Sequence, residues 1–178
     1  FIPRKAETYP LEVEYKGNPS FSRDILVVFG FLDKEPINFI VNHWPSRSGG
    51  QAESEPQRVK AAEVNKRIID SIQNIDINAK IISMGDFNDH PDDKSLKILT
   101  STYKKENIKT PGMVNPMQEL SKRGRASYLF RGFPSAIDQF VVSNGLISKN
   151  SNLIYLKADV YMKRFLYTQE GRYRGYPA

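Results

Sequence analysis

Three apolar runs in this chain are ended or interrupted by polar residues able to do chemistry. His43 closes "INFIVNH", Asp86, Asn88 and Asp89 crowd into "GDFND" directly after "AKIISM", and Asp138 lies inside "AIDQFVVS". An ionised carboxylate within an apolar strand is costly unless it is paired, hydrogen-bonded or metal-bound, so Asp138 calls for a partner. The chain has no cysteine, and any metal must therefore be held by oxygen or imidazole, the donors these residues supply. Each residue also has a plainer use. Gly, Asp and Asn turn a chain readily, because glycine tolerates positive φ and Asx side chains bond their own backbone. His43 can be a satisfied strand-end histidine, and Asp138 can cap a neighbouring loop. The three strand ends together point to a site, since residues at strand ends of open α/β sheets collect at one rim.

The elements that must position them are legible in outline. "DILVVFGF" and "INFIVNH" are β-branched and aromatic runs that read as a hairpin joined through "LDKEP". "SEPQRVKAAEVNKRIIDSIQNI" carries Val59, Ala62, Val64, Ile68, Ile69 and Ile72 near helical spacing. Ser54 and Gln57 suggest a capping box, with Pro56 in the first turn. "AKIISMG" reads as a strand, "DDKSLKIL" as a short helix after Pro91, and "ASYLFRG" and "AIDQFVVS" as two strands joined by a loop containing Gly132 and Pro134. Strand, helix and strand in succession predict an α/β layer. With 178 residues, 39% of them hydrophobic, and no repeat or linker, one domain over residues 1–178 is expected. No apolar run approaches the roughly 20 residues of a membrane span, and "FIPRKAETYP" has no signal-peptide pattern. Lys and Arg outnumber Asp and Glu by 26 to 20, for a net charge of +6 and a pI near 9.4. That balance favours encounter with a polyanion such as nucleic acid, an acidic membrane surface or a phosphorylated small molecule, without choosing among them.

The order "VNHWPSR", then "MGDFND", then "IDQFVVS" resembles the endonuclease/exonuclease/phosphatase superfamily, which includes pancreatic-type deoxyribonucleases, apurinic-site endonucleases, neutral sphingomyelinases and inositol-polyphosphate phosphatases. "SRDILVV" is similar to the family strand whose leading Arg, here Arg23, lies near substrate phosphate. The resemblance implies an α/β four-layer sandwich, two packed mixed β-sheets flanked by helices, with the site at one end. It implies a phosphoesterase dependent on Mg²⁺ or Mn²⁺, foremost a phosphodiesterase or endonuclease acting through an activated water, with a phosphate-ester substrate such as nucleic acid. By the same resemblance Asp86 orients or deprotonates the water or holds metal, and Asn88 donates to a phosphoryl oxygen. His43 donates to the phosphate or leaving group, a task for a ring that can carry a proton near neutral pH. Asp138 would orient a second catalytic histidine.

Family members also carry an early Asn and a metal-binding Glu ahead of the region matching "FIPRKAETYP", and a Ser-Asp-His motif after the region matching "GRYRGYPA". The resemblance therefore implies a partial domain, incomplete at both ends, whose isolated chain is inactive and whose Asp138 lacks its partner. The alternative is a noncatalytic form of the same fold that binds phosphates or a protein. Arg47 in "PSRSGG" can grip phosphate through its fork of donors or simply be solvated. Lys122, Arg123, Arg125 and Arg131 interleave with Tyr128 and Phe130 as a polyanion groove would, or as a half-buried strand with solvated flanks. Trp44 can stack on a base or lipid or pack beneath the site. His90, directly after "GDFND", is expected to be a solvent-exposed loop residue.

Overall fold

The computed structural model describes the chain apart from residues 16, 131, 149, 150, 162, 175, 177 and 178. Its described strands are β1 (Ile2–Tyr9), β2 (Glu12–Tyr15), β3 (Asn18–Phe21), β4 (Ile25–Leu32), β5 (Glu35–His43), β6 (Ile81–Asp86), β7 (Met113–Val114), β8 (Tyr128–Phe130), β9 (Phe133–Ser135) and β10 (Asp138–Ser143). The helices are α1 (Gln51–Ile75), α2 (Lys94–Leu99) and α3 (Met117–Lys122). Six strands form one mixed sheet in the order β1-β4-β5-β6-β10-β7, while β2–β3 and β8–β9 are separate two-stranded sheets. This is the expected mixed α/β class. Of the two packed sheets implied by the resemblance, the described residues build this one large sheet.

The hairpin of β4 and β5 turns on Asp33 and Lys34, both at positive φ (54° and 71°). A two-residue turn of that kind matches the twist of the flanking strands. The strands consequently run into "LDKEP", where sequence predicts a loop, and Pro36 lies within β5. α1 then links β5 to β6, which pair in parallel. The helix begins at Gln51 behind Gly50 rather than at Ser54. Ser54 lies one turn inside, where its hydroxyl donates to the Gly50 carbonyl at 2.5 Å instead of capping.

α1 and the sheet enclose the main core. Ile25, Val27, Ile40, Trp44, Ile81 and Val141 meet Ala61, Ala62, Ile68 and Ile69 of α1, with Phe87, Leu96 and Leu99 alongside. Each large aliphatic side chain buried there contributes about 1.5–3 kcal/mol. The buried stripe of α1 differs from the apolar one read in sequence, because Arg58, Asn65 and Gln73 occupy it while Val59 is only half-buried. On the opposite face of the sheet, Phe39, Ile82 and Phe140 are half-buried in a cluster with Leu146, Ile147, Leu153 and Tyr155. β1 has no counterpart in the sequence reading. Seven of its eight residues are exposed, so it shows no alternation to read.

Two smaller differences concern the later strands. "ASYLFRG" supplies β8, whose partner is β9, and Pro134 belongs to β9 rather than to a loop. Between them Gly132 takes φ 85°.

Candidate functional site

The strand register collects the candidate residues. His43 is the last residue of β5 and lies opposite Asp86, the last residue of β6. Asp86 in turn lies opposite Asp138, the first residue of the antiparallel β10. Three neighbouring strands therefore present His43, Asp86 and Asp138 side by side at one rim of the sheet.

Gly85 explains how "GDFND" is built. Its φ is 136°, and a Cβ there would sit 2.0 Å from the Asn42 carbonyl oxygen, so only glycine lets β6 lie against β5 just before the rim. The chain then turns. Asp86 Oδ1 accepts the Asn88 backbone N–H at 2.8 Å, and Asn88 takes a left-handed φ of 51°, which an Asn side chain tolerates. The Asn88 amide donates to the Trp44 carbonyl at 3.0 Å, tying this turn to the end of β5. The turn reading and the site reading of these letters thus coexist: the turn is what aims the carboxylate.

His43 Nε2 stands 3.7 Å from Asp86 Oδ2, too long for a hydrogen bond and close enough for charge attraction when the ring is protonated. Burial pushes the Asp86 carboxyl above its usual range. The Asn88 N–H draws it back, the Asp138 charge pushes it up again, and His43 and Arg23 pull it down. Asp138 is exposed at the start of its strand, and the Ser127 hydroxyl donates to its Oδ2 at 2.6 Å. The costly buried carboxylate inferred from sequence does not arise, because Asp138 opens β10 in an exposed position and accepts the Ser127 hydroxyl. Arg23 is exposed, near enough to act on the Asp86 charge, and lines a shallow cleft with Ser22, Pro45 and Ser46.

Asp86, Asn88 and Asp138 open onto a cavity of about 780 Å³. Its other walls include Arg47, His90, and Tyr128, Phe133 and Ser135 of the β8–β9 hairpin. Arg47 reaches this wall with its guanidinium engaged by the protein itself. Nε donates to the Asn88 carbonyl at 2.6 Å and Nη2 to Asp93 Oδ2 at 2.9 Å. His90 is half-buried on the wall, not solvent-exposed as the sequence suggested. Of the basic-aromatic segment, Lys122 and Arg123 are exposed, Arg125 pairs with Asp159 at 2.7 Å, and Arg131 and the Phe130 side chain lie outside the described residues.

Beneath the rim is a buried polar layer that sequence reading missed. Asp89 and Arg58 are both fully buried, with Arg58 Nε 2.7 Å from Asp89 Oδ1. Ser95 donates to Asp89 Oδ2 at 2.6 Å, and Gln139 donates to its carbonyl at 2.6 Å. Burial raises the Asp89 carboxyl, and the Ser95 hydroxyl and Arg58 guanidinium work against that rise. A second layer joins Asn42, Asn65, Ser83 and Trp44: Asn65 donates to Asn42 Oδ1 at 2.7 Å, as does Trp44 Nε1 at 3.0 Å. Trp44 is fully buried, edge-on to Phe87 with ring centroids 4.6 Å apart, so it packs below the site. The one available signal was spacing: positions 54, 58, 61, 65, 68 and 69 of α1 share a face, and their polar members needed buried partners.

The donors exposed at the rim are hard oxygen atoms from two neighbouring carboxylates, which suits a hard divalent cation. Among the described residues no group of three or more His, Cys, Asp or Glu side chains is placed to hold a metal ion.

The sequence model of the Endonuclease/Exonuclease/phosphatase family matches residues 3–178. The chain belongs to this family. No curated protein matches it by sequence. Solved structures show the fold of the family at low identity. A truncated Caenorhabditis elegans TDP2 gives a TM-score of 0.55 at 14% identity, covering 82% of this chain and 54% of that one. The human Nocturnin catalytic domain with bound sulfate anion gives 0.54 at 13%, covering 79% and 47%. D. rerio TDP2 complexed with single strand DNA product gives 0.51 at 13%, covering 80% and 53%. The chain spans about half the length of these structures.

Proposed function

We propose that this Endonuclease/Exonuclease/phosphatase domain serves a divalent-metal-dependent phosphoesterase, a phosphodiesterase or nuclease with Mg²⁺ or Mn²⁺ as cofactor. The observation that carries the reading is the register of His43, Asp86 and Asp138 on three adjoining strands, with Asp86 and Asp138 opening onto one cavity. Asp86 is the candidate cation ligand, or the group that orients the attacking water. A bound divalent ion supplies neutralisation of charge on the phosphoryl oxygens and a more acidic water. His43, 3.7 Å from Asp86, donates to the phosphate or the leaving oxygen. Asn88 spends one amide hydrogen on Trp44 and has a second to offer a phosphoryl oxygen. Asp138 holds negative charge beside Asp86, and its Ser127 bond fixes it there. Arg23 and Arg47 supply positive charge at the edges of the site. Nucleic acid is the favoured substrate, supported by the basic balance of the chain and by the relative seen with single strand DNA product.

Because no group of three or more His, Asp or Glu side chains among the described residues is placed to hold a metal ion, residues 1–178 alone are proposed to hold Mg²⁺ or Mn²⁺ weakly and turn over poorly. The test is hydrolysis of bis-nitrophenyl phosphate and of single-stranded DNA, with Mg²⁺, with Mn²⁺ and with chelator. It compares residues 1–178 with the protein expressed from its full coding sequence. Chelator-sensitive cleavage by the latter supports the reading, and a folded protein that cleaves neither substrate with either ion refutes it.

A further inference from the structure

The chain has two histidines: His43 stands beside Asp86 at the rim, and His90 lines the cavity onto which Asp86 and Asn88 open. His43 belongs to the rim. His90 lies four residues beyond Asp86 and lines the cavity between the turn and the β8–β9 hairpin. Its ring is half-buried, with Nε2 3.4 Å from the hydroxyl of Ser135, itself buried at the end of β9.

The backbone around it is unusually well held. The His90 N–H donates to Asp93 Oδ2 at 2.7 Å, and that same oxygen takes Arg47 Nη2 at 2.9 Å. One residue earlier, the Asp89 carbonyl takes the Gln139 amide at 2.6 Å and its carboxylate is locked to Arg58. A ring needed only as loop surface requires no such anchoring. An imidazole fixed at a cavity wall, with a hydroxyl beside it, is suited to bind an anion repeatedly in one geometry. Past it the wall continues into Tyr128 and Phe133, which are 44% and 75% exposed and can receive the organic group of an ester.

We infer that His90, oriented by Ser135, is a second phosphate-binding residue of the site, donating to a phosphate oxygen on the side of the cavity that faces the β8–β9 hairpin. This rests on the phosphoesterase reading and adds to it a residue and a direction: the ester's organic arm leaves the Asp86 rim past His90 toward Tyr128 and Phe133. A hydrogen bond to a charged group is strong enough that its loss weakens phosphate binding about tenfold or more.

The test uses the two histidine Cε1–H resonances of residues 1–178, assigned with His43→Gln and His90→Gln. They are followed at constant pH and ionic strength as inorganic phosphate, and separately dimethyl phosphate, is added. Saturable movement of the His90 resonance, with His90→Ala weakening binding about tenfold and His90→Gln restoring part of it through its amide, supports the inference. Ser135→Ala, which keeps the imidazole but removes the hydroxyl that orients it, should reduce the His90 response without abolishing that of His43. Movement of His43 alone overturns the role of His90 and leaves the phosphoesterase reading standing. Movement of neither overturns the inference, while the phosphoesterase reading stands or falls on turnover by the protein expressed from its full coding sequence.

Discussion

Replacing Arg58 by Met tests whether the buried ionic layer holds up the site. The substitution leaves Asp89 fully buried without the guanidinium at 2.7 Å, and also removes the donors to Ser54 Oγ at 2.8 Å and to the Gln51 carbonyl at 3.1 Å. Removing one partner of a buried pair costs about 3–5 kcal/mol. Asp89 keeps the Ser95 hydroxyl at 2.6 Å and Arg47 at 3.3 Å, which places the expected loss near the lower end, about 3 kcal/mol. Its pH dependence has a definite sign. Burial already raises the Asp89 carboxyl, and losing Arg58 raises it further. A carboxyl raised on folding gives up stability as pH climbs from its unfolded pKa through its folded one. The deficit of the variant is therefore small near pH 4, about the unfolded value, and largest at neutral pH. Adding Asp89→Asn removes the orphaned charge and should return about 1–2 kcal/mol at pH 7. Urea unfolding followed by circular dichroism, extrapolated linearly, reads all of these values. A single variant within about 0.5 kcal/mol of the parent at pH 7, below the range expected of a broken buried pair, would refute the reasoning.

Three further outcomes follow from the same geometry. In metal-free protein, carbon-detected titration should find the Asp86 carboxyl above the ordinary range, and Asp138→Asn should lower it by removing a like charge. Gly85→Ala should destabilise the fold by roughly 3 kcal/mol or more, since φ is 136° and the added methyl meets a carbonyl oxygen; a thermal melt unchanged from the parent would contradict this. Asn65→Leu should cost about 1–3 kcal/mol by leaving the Asn42 and Ser83 side chains short of partners, measured again by urea unfolding.

What the sequence revealed and what it hid divide along physical lines. β4, β5, β6 and β10 were legible because apolar side chains pack on the sheet, and the polar letters at their ends marked the rim. β1 was hidden because nearly all of it is exposed. The start of α1 was misplaced because the chain stops at the Gly49–Gly50 pair, both at positive φ, rather than at a side-chain cap. Arg58 and Asn65 were overlooked, and Asp89 was read with the rim rather than beneath it, because periodicity counts apolar residues, whereas these polar ones are buried through one another across α1, β5 and the turn after β6. His90 was read as loop surface since nothing local to it announces Ser135, forty-five residues later, across the cavity.

The central claim is that the His43–Asp86–Asp138 rim is where a phosphate ester is hydrolysed. Its most direct measurement is kcat/KM for bis-nitrophenyl phosphate with Mn²⁺, comparing the protein expressed from its full coding sequence with its Asp86→Asn form, urea midpoints being checked alongside. Loss of an activating carboxylate at the reacting centre should lower kcat/KM by about a hundredfold or more, with the fold intact. A folded Asp86→Asn protein that keeps the parent's kcat/KM would contradict the account.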